Sequence, residues 1–309
     1  MPDFTILPTL LEFETLDELR LPAGTAETNV FRGALGHALR AVSCHPTCSN
    51  AKTCPSRATC PYARFFEPVW ENGPSGYHEA PRPFVLRSPT ALNSAATTVI
   101  PKGGTLEAQL LLFMTDNPPW PQLLRAFELV ASQGLGPARA RLSLNPINPS
   151  HRQSPLSLPT AAATPDPRHG TLRLQFVTPI ELKGDGEVSA RPDFPLLAHR
   201  LLDRIWALGS LYQAWPPWDI RPLLDLALTV RLLDFNWRRQ ETARRSSRTG
   251  QHHSIGGFIG WADYYGPIGA FLPLLEIARW TGVGRQTVWG KGQLAIDQVT
   301  WDKTSHISA

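Results

Sequence analysis

TGVGRQTVWGKGQL, Thr281 to Leu294, sets Gly282, Gly284, Gly290 and Gly292 around two cations, Arg285 and Lys291. A phosphate-binding loop or a dinucleotide fingerprint follows a strand and opens a helix. This stretch does the reverse. It follows PIGAFLPLLEIARW (267–280), which reads as a short helix ended by Gly282, and leads into GQLAIDQV (292–299), which reads as a strand. A mononucleotide cofactor is therefore not expected, whereas a glycine saddle with two cations suits an RNA backbone. A shorter counterpart, QGLGPARARL (133–142), lies in the middle of the chain. It follows PWPQLLRAFELVAS (119–132), a helix begun by proline and stopped by Gly134, and leads to the alternating run ARARLSL (138–144).

Working outward from the two turns, each half shows the same order of elements. Before the first turn come a strand at Phe4 to Phe13, a helix at Val30 to Val42, and the strand-like runs PRPFVLR (81–87) and TLEAQLLLFM (105–114). Before the second come TLRLQFV (171–177), a long helix with Phe194, Leu197, Leu201, Ile205, Leu208 and Tyr212 on one face, and the strand candidates LALTVRLLDFNW (226–237) and SIGGFIGWADYY (254–265). The order strand, helix, strand, strand, helix, strand occurs twice, which is the ferredoxin-like pattern. The expected fold is α+β, with two tandem ferredoxin-like domains. These are residues 1–145, carrying a cysteine insertion at 44–60, and residues 171–300, carrying the glycine-rich loop 282–292. Residues 146–170 read as a Pro/Ser-rich linker or loop, and 301–309 as a tail.

The 309 residues, 42% of them hydrophobic, are enough for two such cores. The net charge is only +4, yet arginines cluster, which points to a directed basic surface and an anionic partner. MPDFTILPTLLEFETLDELR has no basic segment ahead of an uninterrupted apolar core, and no run reaches the length of a membrane span. A cytoplasmic protein without a membrane partner is expected.

Three segments carry chemistry. In FRGALGHALRAVSC (31–44), helical spacing puts Phe31, Leu35, Ala38, Leu39 and Val42 on one face and Gly33, Gly36, His37 and Arg40 on the other. His37 is then either a solvated histidine or an acid–base group beside a bound phosphate, and the helix alone supports both. Cys44, Cys48, Cys54 and Cys60 are all the cysteines of the chain. Four thiolates in polar, turn-prone sequence match a tetrahedral structural zinc site, with an iron–sulfur cluster or unliganded thiols as alternatives. NWRRQETARRSSRTGQHH (236–253) presents Arg238, Arg239, Arg244, Arg245 and Arg248 with serines between them, as phosphate oxygens require, or forms a solvated basic loop. His252 and His253 either join that site or lie in solvent.

FRGALGHALR, CPYARFFEP with PRPFVL, LQFVTPIELK, the RRSSRTG and IGGFIG segments and GVGRQTVWGKG together resemble one family. It is the CRISPR-associated endoribonucleases of the RAMP superfamily that cut precursor CRISPR RNA within its repeats, the Cas-six type. The cysteine insertion resembles one branch of it. The resemblance implies metal-independent cleavage, in which a ribose 2′-hydroxyl attacks the adjacent phosphate and leaves a 2′,3′-cyclic phosphate and a 5′-hydroxyl. It implies His37 as general acid or base. No tyrosine or lysine of the kind many members add aligns near His37, so Arg40, Arg248 and His252 are candidates for a second role. RNA contacts are expected from Arg40, Arg238, Arg239, Arg244, Arg245, Arg248, Gly282, Gly284, Arg285 and Lys291. The implied partners are repeat RNA, its crRNA product and other Cas proteins of an effector complex. Zinc is expected as a structural ion at the four cysteines, and no cofactor in catalysis. The alternatives are a non-catalytic RNA-binding RAMP subunit of an effector complex, which does not need His37, and a metal-stapled protein-interaction module.

Overall fold

Alternation in the strands and a 3.6-residue period in the helices are realised in a computed structural model. It describes residues 2–22, 25–70, 80–88, 97–146, 154–160, 166, 168–184, 186–240, 243–245, 252–254 and 256–302. In the first half, β1 (Phe4–Thr15), β2 (Leu19–Leu21), α1 (Thr25–Ser43), α2 (Pro61–Phe65), β3 (Phe84–Arg87), β4 (Thr98–Ile100), β5 (Thr105–Leu112), α3 (Trp120–Gln133) and β6 (Leu142–Leu144) follow one another. Their main sheet has the order β3-β5-β1-β6, all antiparallel. β7 (Leu156–Leu158) extends it, although this segment falls in the expected linker. The reason is the length of β1. Phe13 to Thr15 pair with β6, while Phe4 to Ile6 have that edge uncovered, and the alternating Leu156 and Leu158 fill it.

The second half runs β8 (Gly170–Ile180), β9 (Lys183–Gly184), β10 (Glu187–Val188), α4 (Phe194–Tyr212), α5 (Arg221–Ala227), β11 (Arg231–Gln240), β12 (Ala243–Arg245), β13 (His252–Ser254), β14 (Gly257–Gly266), α6 (Leu272–Thr281) and β15 (Leu294–Trp301). Its sheet order, β11-β14-β8-β15, is second, third, first, fourth strand, as in the first half. Leu226 and Ala227, expected at the start of a strand, close α5 instead, because Pro222 at its first turn starts a helix.

The two halves stack in layers. α1 and α3 cover one face of the first sheet through Phe31, Leu35, Leu39, Phe127 and Val130, with Leu11 and Phe13 beneath. The opposite face of the same sheet presents Phe4, Ile6, Val85, Leu111 and Phe113, and these join the core of the second half around α4 and α6. That core is closed by Leu172, Leu174 and Phe176 of β8. Thr171, Arg173 and Gln175 point to the outer side, so alternation along β8 separates core from solvent. Arg87 fastens the halves at one edge, donating to the carbonyls of Arg279 and Trp280 at the end of α6.

Candidate functional site

α1 buries Phe31, Leu35, Ala38 and Leu39 and leaves His37 exposed. The glycines beside it have different uses. Gly33 has open space where a side chain would go, which suits a close-approaching ligand. Gly36 does not. A Cβ there would lie 2.5 Å from Cζ of Phe66, so this glycine admits the ring that follows α2. Arg40, expected to face RNA, donates from Nη2 to the carbonyls of Cys48 (2.9 Å) and Ser49 (3.1 Å), tying the last turn of α1 to the cysteine segment.

The glycine-rich turn of the second half reaches across to α1. Val288 is buried in the first half's core, and the Trp289 ring lies 5.6 Å from the Arg32 guanidinium, which also sits 4.7 Å over Phe66. Gly290 packs on Thr28. Five residues separate Arg32 from His37, about 140° around the helix. The turn therefore grips α1 on a different sector from His37, and His37 is left open to an approaching ligand.

The turn is held from within. Val283 donates to Gly292 O (2.9 Å), Gly292 to Pro179 O (3.0 Å) and Arg285 to Glu181 O (3.2 Å). Gly284, at φ +82°, has no room for a Cβ, which would stand 2.5 Å from Glu181 O. Lys291, expected as an RNA contact, is only 1% exposed. Its Nζ donates to Gly256 O (2.5 Å) and Gln286 Oε1 (2.9 Å) and stands 3.4 Å from Glu181 Oε1. Desolvation holds its ammonium below the usual lysine value, against the pull of Glu181. Lys291 thus joins the turn to the start of β14. Gly282 is buried as well, leaving Arg285 as the exposed cation of the turn.

Arg238 and Arg239 are exposed on the edge strand β11. Arg244 and Arg245 lie on β12, in register with His253 and His252 of β13, so one hairpin gathers two expected RNA contacts and both histidines. Arg248 lies outside the described residues.

The cysteines follow directly from α1. Cys44 and Cys60 Sγ atoms are 4.0 Å apart, and Cys48 interacts with both Cys44 and Cys54. With zinc–sulfur bonds of about 2.3 Å, neighbouring ligands of a tetrahedral site stand roughly 3.8 Å apart, so the first pair fits. The set as a whole is not closed. Among the described residues, no group of three or more His, Cys, Asp or Glu side chains is arranged to hold a metal ion. Burial, then the neighbouring Cys60, push the Cys44 thiol up to about 12.

Two of the cavities bear on these segments, and neither was foreseen. One, of about 510 Å³, lies between α1 and the cysteine segment and is lined by Arg40, Lys52, Tyr62, Glu67 and Arg82. The other, of about 890 Å³, runs along α4 beside Gly284 and Arg285. The spacing of Arg200 and Arg204 in HRLLDRIW was its available signal, since residues four apart share a helix face. No described helix is long and apolar enough to cross a membrane.

Residues 4–164 match the N-terminal domain model AF_1859_N, and residues 174–294 match the model of the CRISPR-associated endoribonuclease Cas6. No curated protein matches the chain. A structure described as a Cas6 product complex is 19% identical, covers 96% of this chain and 100% of its own, and has a TM-score of 0.55. Thermus thermophilus Cas6 is 18% identical over 96% of this chain and 99% of its own, with a TM-score of 0.52. A partial Cas6-RT-Cas1–Cas2 complex is 12% identical, covers 98% of this chain and 47% of its own, and has a TM-score of 0.52. At these identities the structural likeness is one of fold, and the fold they share is the tandem ferredoxin-like one.

Proposed function

We propose that this chain, which belongs to the CRISPR-associated endoribonuclease Cas6 family through residues 174–294 and to the AF_1859_N domain family through residues 4–164, cuts precursor CRISPR RNA within its repeats. The product is mature crRNA. The observation that carries the reading is the pairing of an exposed histidine, His37, with a glycine turn from the other half clasped to the same helix. One half then supplies chemistry and the other supplies grip.

In this reading a ribose 2′-hydroxyl of the RNA attacks the adjacent phosphate in line. A 2′,3′-cyclic phosphate forms on one fragment, and the bond to the 5′-oxygen of the next nucleotide breaks. His37 either takes the proton of the 2′-hydroxyl or gives one to the departing 5′-oxygen. Nucleophile and leaving group both belong to the RNA, so the reaction asks of the protein only orientation, proton transfer and relief of charge on phosphorus. The hairpin bearing Arg244 and Arg245, with Arg238, Arg239, Arg285 and Arg248, is assigned to the phosphate backbone. The four cysteines are assigned to one zinc ion, which Cys44, Cys48, Cys54 and Cys60 would hold and which would tie the cysteine segment to the last turn of α1. Association with other Cas proteins belongs to the same reading, as does action in the cytoplasm.

The test is cleavage of the repeat RNA of the protein's own locus in EDTA. Cutting at one phosphodiester, and loss of cutting when the ribose before it is 2′-deoxy, are the expected results. Tight binding without any cleavage would favour a non-catalytic RNA-binding subunit.

A further inference from the structure

The groove along α4 belongs to neither the His37 helix nor the arginine hairpin, yet it has the composition of a nucleic-acid site. Its walls carry Lys183, Arg200, Arg204 and Arg285 together with two tryptophans, Trp206 and Trp218. Two carboxylates, Glu181 and Asp203, also line it, and each is already engaged with cations. Glu181 lies 3.4 Å from Lys291 and 3.8 Å from Arg285, and Asp203 lies 3.3 Å from Arg200. Positive charge therefore dominates the groove.

Two of the cations are fixed in place. Arg200 Nε donates to Lys183 O at 2.8 Å, and Arg204 Nε to Thr281 O at 3.0 Å. Guanidinium groups anchored through one edge lose little freedom when the rest of the fork meets phosphate oxygens. Trp206 is backed by the ring of Trp70 at 5.4 Å, which steadies a surface on which a base can stack. A closed metabolite pocket would need convergent polar groups around a dry centre. Here cations and indoles line a groove that runs on to the glycine turn, where Gly284 and Arg285 form one rim. The same turn grips α1 at its other end through Trp289.

We propose that this groove is a second RNA subsite, which takes a single-stranded stretch of the same transcript away from the cleaved phosphodiester. Phosphates meet Lys183, Arg200 and Arg285, and bases stack on the tryptophans without sequence readout. The proposal rests on the RNA reading given above and names a part of the substrate which that reading does not.

Affinity is measured by titration at several salt concentrations with two RNAs: the complete repeat with its flanks, and a short RNA spanning only the cut and the nucleotides beside it. In wild type the complete RNA binds more tightly. Lys183→Glu, at an exposed position, is expected to weaken binding of the complete RNA about 10-fold and to lower its salt slope by roughly 0.7, the value of one phosphate. Affinity for the short RNA and the cleavage rate at saturation should stay at wild-type values. Trp206→Ala should repeat the pattern without the change in slope, and Lys183→Arg should restore wild-type binding. Equal affinity of Lys183→Glu and wild type for the complete RNA overturns the subsite, as does equal weakening for both RNAs. Wild-type protein that binds neither RNA brings down the RNA reading itself, and the groove with it.

Discussion

The two glycine turns occupy the same place in two copies of one fold, and they do opposite things. The first closes on its own half. Leu135 bridges Ala140, and Gly136 packs against the backbone of Arg20 beside it. The second is longer and leaves its half, burying Val288 in the neighbour's core and laying Trp289 against Arg32 of α1. The sheets differ in the same sense. The first is covered on both faces, whereas the second keeps Arg173 and Gln175 on an outer face. Duplicate architecture therefore does not mean duplicate function. One half is built to be held, and the other to hold it.

That division can be broken experimentally. If the first half carries the chemistry, His37→Ala slows single-turnover cleavage by about 10² to 10⁴-fold, the usual contribution of a positioned acid or base. RNA affinity should barely change. Near-normal cutting would remove His37 from the reaction and turn attention to His252 and His253.

If the second half's turn is held by its buried ion pair, Lys291→Met leaves Glu181 without its main partner. Losing one member of a buried pair costs about 3–5 kcal/mol, and Arg285, 3.8 Å away, keeps the loss near the lower bound. A denaturant melt reads it, and unchanged stability would mean that the clasp is unimportant.

Replacing Cys44 and Cys60 by serine tests how the first half fixes α1 from its other end. The expected outcome is loss of about one bound zinc per chain and a lower melting temperature, because structural zinc contributes folding free energy directly. Metal analysis of the native protein that finds no zinc, or finds iron, rejects the assignment.

The smallest effect sharpens the contrast in grip. Changing Arg244, Arg245 and Arg248 to alanine should reduce the salt slope of RNA binding by roughly 0.7 for each phosphate that is no longer neutralised, with the cleavage rate at saturation retained. A slope that does not move would identify the segment as a solvated loop.

Much of the fold was legible because local patterns carry it. Two cycles of strand and helix periodicity, each ended by a glycine turn, predict two ferredoxin-like halves, and both sheets take that order. The exposed side of His37 was legible from helical spacing alone. What escaped depends on contacts distant in sequence. Nothing near Gly36 announces that Phe66 fills its surface, and nothing near Lys291 announces Glu181 and Gly256. A charged residue beside glycines looks solvent-facing until the chain that buries it is in place. Helix α4 shows the same limit, since its apolar face was visible in sequence but its position between two sheets was not. The basic groove follows from that position and so escaped too.

The burial of Val288 has a consequence in time. Chains emerge from the ribosome at about 5–20 residues per second and fold from the N-terminal end. The ferredoxin-like order of the first half is complete once Leu144 has appeared, but its core includes Val288, and one face of its sheet is covered by helices made later. For roughly 3–14 s at those rates, until Tyr212 at the end of α4 has been made, the newborn first half exposes Phe4, Ile6, Val85, Leu111 and Phe113 with nothing to meet them. Helix α4 covers that face well before the turn arrives to add Val288 to the first half's core.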